Sequence, residues 1–179
     1  MLGCAGTGKT TFTRALAEAI DAPAIVLDDI WLPGWGPDDL ERFRRLLREA
    51  HAGDRWVSDG NFAVASFDLR LPRADLVVWL ERPRWLCLWR ASMRVFRSGE
   101  PHQLKDLRTV WAFIWSVDRI NRPRIKAQLV ANGQAVLRIH LTDDRQTRAF
   151  LETLGERGRS ARRRRHGVQH RQLLRCERP

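Results

Sequence analysis

The sequence predicts an α/β fold, a parallel sheet flanked by helices in three layers, and three observations carry that prediction. Short apolar runs alternate along the chain with segments of helical periodicity. Several of those runs stop at polar residues, at Asp28 and Asp29 and again at Asp59, Gly60 and Asn61, as strands do whose carboxyl ends line a ligand crevice. The chain opens on MLGCAGTGKTTF, a glycine-rich loop of the kind that leads from a strand into a helix.

In that opening, Gly3, Gly8, Lys9 and Thr10 fit GxxxxGK[ST], the Walker A pattern of the P-loop NTPases, with a further glycine at Gly6 and a second hydroxyl at Thr11. Glycines let the backbone turn its N–H groups toward a polyphosphate. Lys9 is placed to reach the β- and γ-phosphates of ATP, Thr10 to hold Mg²⁺ and Thr11 to touch the α-phosphate, with the helix from Thr10 to about Ile20 aiming its positive end at the anion. Only Met1 and Leu2 precede Gly3, so the first strand is expected to be truncated, either because the true start lies upstream or because the chain is itself shortened and its site weakened.

Further along, AIVL reads as a buried strand ending at Asp28 and Asp29, and WLPGWGP as a turn-rich segment. Leu40, Phe43, Leu46, Leu47 and Ala50 recur at helical spacing behind Pro37, Asp38 and Asp39. WVS (56–58) and DLVVWL (75–80) are two more strands. Residues 84–131 read as a helical lid region, with a break around Ser98-Gly99-Glu100-Pro101. In it, the i,i+4 pairs Trp85/Trp89 and Trp111/Trp115 read as core. QAVLRIHL gives the last strand, and Thr142 is placed to cap a closing helix through Leu154.

At 179 residues and 44% hydrophobic, the chain supports one domain, residues 1–154. Of the net charge of +11, residues 155–179 supply +7, from nine Arg against two Glu, which leaves +4 on the body. That basic stretch reads as a disordered tail through which nucleic acid could bind. Cys4, Cys87 and Cys176 show no metal or disulfide spacing, and no signal peptide or apolar span is present, so a soluble cytoplasmic protein is expected. His51, near a helix end, reads as a charge on the helix C-terminus.

Taken together, GCAGTGKTT, LDDIWLPGW, WVSDGN, DLRLPRADLVVWLERPRWLCLWR and RINRPRI resemble the bacterial DNA topology modulation proteins, an adenylate-kinase-like branch of the P-loop kinases. The resemblance spans about Gly3 to Leu154 and implies an ATP site, an acceptor site and an arginine-bearing lid. It places Gly8, Lys9, Thr10 and Thr11 on ATP and Mg²⁺, and Asp59 on Mg²⁺ through water. Either Asp28 or Asp29 is expected to face the acceptor. Trp31 and Trp35 lie on the acceptor side as stacking or core residues, Asn61 falls at the same strand end as Asp59, and Arg70 is a candidate clamp for an acceptor phosphate. Arg90, Arg94 and Arg97 share a helical face, and Arg119, Arg122 and Arg124 form a second cluster, from which Arg90, Arg94 and Arg122 are expected to neutralise the transferring phosphoryl group. The expected function is phosphoryl transfer from ATP to a nucleotide or small metabolite. The alternative is a nucleic-acid-binding regulator whose ATP site has little or no catalytic role.

Overall fold

The structure is a computed structural model that describes residues 1–98, 108, 111, 112, 114–133 and 136–155. Residues 156–179 and residues 99–101 of the expected break around Ser98 to Pro101 lie outside the described residues. Five parallel strands form the centre: β1 (Leu2–Gly3), β2 (Ala24–Val26), β3 (Val57–Asp59), β4 (Leu76–Leu80) and β5 (Leu137–Leu141). β2 pairs with β3, and β1, β4 and β5 pair in that order. Met1 joins the two groups: its amino nitrogen donates to Ser58 O (2.5 Å), and the Gly60 N–H donates to Met1 O (3.4 Å). The strands therefore lie side by side as β2-β3-β1-β4-β5. The first strand is short but present, held opposite Trp79 and Leu80 of β4.

Register brings the functional ends together. Val26 lies opposite Asp59, and Gly3 opposite Leu80, which in turn faces Leu141. The carboxyl ends of all five strands thus share one edge, and the glycine-rich loop leaves from it.

Helices cover both faces because the strand side chains alternate. Val77 and Trp79 turn toward Phe67, Leu71, Ile125 and Leu129, which come from α4 (Ala63–Arg70), the turn after it and α6 (Arg122–Asn132). Val78 and Leu80 turn the other way, toward Phe12, Leu16 and Ala17 of α1 (Lys9–Ile20) and toward Phe150, Leu151 and Leu154 of α7 (144–155). This is the expected α/β arrangement of a parallel sheet between helices. A third cluster joins Leu27 of α2 (Leu27–Ile30) to Phe43 and Leu47 of α3 (Leu40–Ala50), all three side chains fully buried, each burial stabilising by about 1.5–3 kcal/mol. Among the described residues no helix is long and apolar enough to cross a membrane.

Several local expectations are corrected. The second strand stops at Val26, and Leu27 starts a helical turn that carries Asp28 and Asp29. Helix α4 has no sequence signal for its start: Phe62 makes no side-chain cap and the first turn is without acidic residues. The closing helix is capped by Asp143 rather than Thr142, since Asp143 Oδ1 accepts from the Gln146 N–H (2.7 Å) while Gln146 Oε1 accepts from the Thr142 N–H (2.8 Å).

The tryptophans of the helical region are not core. Trp85, Trp89, Trp111 and Trp115 are 48–70% exposed, whereas Cys87, Ala91 and Ile114 form a buried cluster against Cys4 and Ala5 of the loop. On α5 (Arg84–Ser98), Cys87 and Ala91 share a stripe roughly 200° around the axis from Trp85 and Trp89. Small residues on that stripe let the helix approach the glycine-rich loop, which turns the indoles outward. Trp111 Nε1 donates to Ser92 Oγ (3.1 Å), and the Arg84 guanidinium lies 5.5 Å over Trp115.

Candidate active site

The loop from Gly3 to Gly8 takes its shape from three glycines at positive φ, of which Gly6 is the most constrained. With φ at +81°, a Cβ there would fall 2.4 Å from Cys87 O at the start of α5, so only glycine fits between loop and helix. Gly8 adopts φ +90° in open space, directly before α1. Thr7 Oγ1 and Lys9 Nζ both donate to Cys4 O, at 2.8 and 3.1 Å, drawing the loop closed on itself. The first turn of α1 points its N-terminal end at this loop, where the helix dipole favours an anion.

Beside it, at the end of β3, the Asp59 carboxylate is almost fully buried. Its Oδ2 accepts from Thr10 Oγ1 at 2.7 Å, while Oδ1 is buried with no hydrogen-bond partner. Asn61 performs a structural task two residues on. Its Nδ2 donates to Gly3 O (2.6 Å) and its Oδ1 accepts from the Gly3 N–H (3.2 Å), so the carboxamide takes the place of a neighbouring strand residue. Asn61 was expected among the substrate-binding residues; it lines the cavity wall with each of its polar atoms bonded to Gly3.

A cavity of about 760 Å³ opens over the loop, lined by Gly6, Gly8, Lys9, Thr10, Thr11 and Asp28, with Arg94 and Arg124 on the helical side. Phe62, Ala63, Val64, Ala65 and Ile125 form an apolar wall. Partial burial raises the Asp28 carboxyl above the ordinary carboxylate range; Lys9 and Arg94 oppose the rise, and Asp59 and Asp29 add to it. Asp28, Lys9, Thr10, Thr11, Gly6, Gly8 and Arg94 are therefore gathered in one place, with Asp59 bonded to Thr10 directly behind.

Other expected site residues are placed elsewhere. Arg70 is buried, donating to Ser58 Oγ (3.1 Å) and Gly60 O (2.8 Å), and lines a separate cavity of about 310 Å³ beside residues that precede and open β3 and β4. Burial lowers its guanidinium to about 10, with Asp59 opposing. Arg122 donates to Glu81 Oε1 (2.6 Å) and lies 5.6 Å over Trp79, and it is Arg124, two residues later, that reaches the main cavity. Arg90 is ion-paired to Asp144 (3.0 Å) and lines a second cavity along Gly6, Gly8 and Thr11, which Arg94 also borders. Asp29 and Trp35 do not line the main cavity. Trp31 packs on Phe43 (5.2 Å) and Phe62, and Trp35 stands edge-on to Trp31 beneath the Arg42 guanidinium (5.1 Å), which is a packing arrangement. The side chain of Arg97 lies outside the described residues.

The sequence reading missed Arg82 and Phe62. Arg82 is buried and donates to Asp144, Thr147 and Leu141 O, tying the end of β4 to β5 and α7. Its signal was present, an arginine two residues past the end of a strand of apolar residues, but such a position is not distinguishable from a surface charge without the pairing of β4 with β5. No protein-family model matches the chain, and no curated protein matches it.

Proposed function

We propose that the chain is a P-loop kinase that transfers a phosphoryl group from ATP to a nucleotide or another small metabolite. The observation that carries this reading is the Thr10–Asp59 hydrogen bond at the cavity floor, with Asp59 Oδ1 left buried and unpartnered. An orphaned carboxylate oxygen beside a hydroxyl is costly unless a ligand completes it.

Mg²⁺ fits that donor set. It takes few protein ligands and keeps waters and substrate phosphates, so the absence of any cluster of three or more His, Cys, Asp or Glu among the described residues is no obstacle. Thr10 Oγ1 would hold it directly and Asp59 through water; when bound, it neutralises charge on the phosphates.

The remaining work falls to the chain's own groups. Lys9, resting on Cys4 O, exchanges that carbonyl for the β- and γ-phosphate oxygens. The glycine backbone and the α1 N-terminus receive the polyphosphate. Arg94 and Arg124, from α5 and α6, approach the transferring group from the opposite side and offset its equatorial charge. Catalysis is positioning plus electrostatics, without a covalent enzyme intermediate.

Calorimetric titration of Mg-ATP into the wild-type chain and Lys9→Ala tests the reading. Binding in the wild type that is lost in the variant is expected. Absence of Lys9-dependent binding would overturn it.

A further inference from the structure

We propose that the phosphoryl acceptor of this kinase is an alcohol, and that Asp28 takes the proton from its attacking hydroxyl. The inference rests on the kinase reading above and narrows it to one acceptor class.

A phosphate acceptor and a hydroxyl acceptor need different surroundings. The former arrives ionised and needs cationic clamps; the latter must lose a proton as it attacks, and so needs a base within reach. Arg70, the sequence's candidate clamp, is withdrawn from the cavity and bonded to Ser58 and Gly60. In its place the acceptor side presents an apolar wall, Phe62 to Ala65 with Ile125, one arginine, Arg124, and a single carboxylate, Asp28.

The groups facing Asp28 are Lys9 from the start of α1, Asp59 from the end of β3, Asp29 from its own helical turn and Arg94 from α5, with Arg124 of α6 on the same cavity. Two of these are carboxylates and three are cations; with Lys9, Arg94 and Arg124 engaged by the donor and the transferring group in the reading above, an acceptor's own dianion would meet the carboxylates unopposed. Arg94 borders the second cavity along the loop as well as the main one, which places it with the donor's phosphates rather than with an acceptor. A neutral hydroxyl meets no such opposition.

In the step itself, the acceptor oxygen forms a bond to the γ-phosphorus while the bond from that phosphorus to the β,γ-bridging oxygen breaks. Its electron pair leaves with ADP. The acceptor's proton passes to the Asp28 carboxylate and from there to solvent, because Asp28 is open to the cavity. Partial desolvation raises the Asp28 carboxyl above the ordinary carboxylate range, which is the direction a base requires.

Water is the smallest hydroxyl acceptor, so basal ATP hydrolysis is the probe, followed for the wild type and Asp28→Asn with Mg-ATP at pH 4.5–8. Hydrolysis is expected to fall about 10²–10⁴-fold in the variant, and the acid limb of the wild-type pH profile to disappear, while calorimetric ATP affinity stays within about threefold. A second arm adds AMP, CMP, GMP and UMP. Wild-type-like hydrolysis and pH profile in Asp28→Asn, or nucleoside diphosphate formation equal in both proteins, would overturn the alcohol assignment while leaving the kinase reading intact. Loss of Lys9-dependent ATP binding would instead remove the kinase reading and the assignment with it.

Discussion

Replacing Gly6 and Gly8 separately by alanine measures how tightly the loop is wedged against α5. Both glycines sit at positive φ, +81° and +90°, so alanine at either pays the left-handed penalty of about 1–2 kcal/mol. The surroundings differ. At Gly8 a Cβ meets nothing within 4 Å, whereas at Gly6 it lands 2.4 Å from Cys87 O and 2.9 Å from Cys87 Cα. Those are backbone atoms near the start of a 15-residue helix, which cannot rotate aside as a side chain would. Relief needs a shift of about 1 Å in loop or helix, and overpacking of that sort costs a further 1–3 kcal/mol or so. Gly6→Ala is thus expected to destabilise by about 2–5 kcal/mol and Gly8→Ala by about 1–2. Urea unfolding of the two variants, compared at constant m-value, reads the difference. Equal destabilisation of the two would refute the argument that α5 seats directly on the loop.

Three other outcomes follow from buried and exposed positions. Arg70→Met should cost about 2–5 kcal/mol in urea unfolding, because Ser58 Oγ and Gly60 O lose a buried donor, yet leave Mg-ATP affinity of the folded protein unchanged by calorimetry. His51 is buried, and desolvation holds its ring below the ordinary histidine pKa; since the unfolded chain then binds the extra proton first, its contribution is fully present above about pH 6.5 and declines as pH falls below that value. Unfolding at pH 7 and pH 5 should show this slope in the wild type and a shallower one in His51→Gln. Trp85→Gln and Trp89→Gln, at 70% and 59% exposed positions, should each change stability by only about 0.5 kcal/mol or less, against about 3–5 for Phe43→Ala in the same assay.

The elements most legible in the sequence were those whose local chemistry suffices. The glycine spacing located the loop, and the Leu40 to Ala50 periodicity located α3, because each depends on residues close together in the chain. Asp28 was legible to within one residue: strand periodicity marked the element's end, while the choice between Asp28 and Asp29 needed the helical turn that begins at Leu27. Arginine roles were not legible, because this chain has so many. Arg70, Arg122 and Arg124 differ only in which long-range partner captures each guanidinium, Ser58, Glu81 or the open cavity, and a sequence window holds none of those partners. His51 failed for a related reason. Its place at the end of α3 suggested a charge, but Nδ1 donates to Leu47 O (2.7 Å), leaving Nε2 to accept from Ser58 Oγ (3.0 Å), so the ring is held neutral in the interior. The tryptophans were misplaced because i,i+4 spacing was read as an inward face; a close approach of backbones, achieved with Cys87 and Ala91, decided which face went inward.

Where β3 meets β1, the sheet has a seam stitched mostly by things other than a strand ladder. On one side of it are the residues that carry Asp28 and Asp59; on the other, β1, β4 and β5 with the helices they support. The stitches are Met1 with Ser58 and Gly60, and the Asn61 carboxamide gripping Gly3 through both its polar atoms. A side chain that stands in for a strand ties register to chemistry: the same residue that holds Gly3, where the loop begins, follows two places after Asp59. A slip at the seam would carry Asp59 away from Thr10 and dismantle the cavity floor in a single movement. Exchange of the Gly3 and Gly60 amides therefore reports on whether the molecule can assemble its site at all, before any ligand is added.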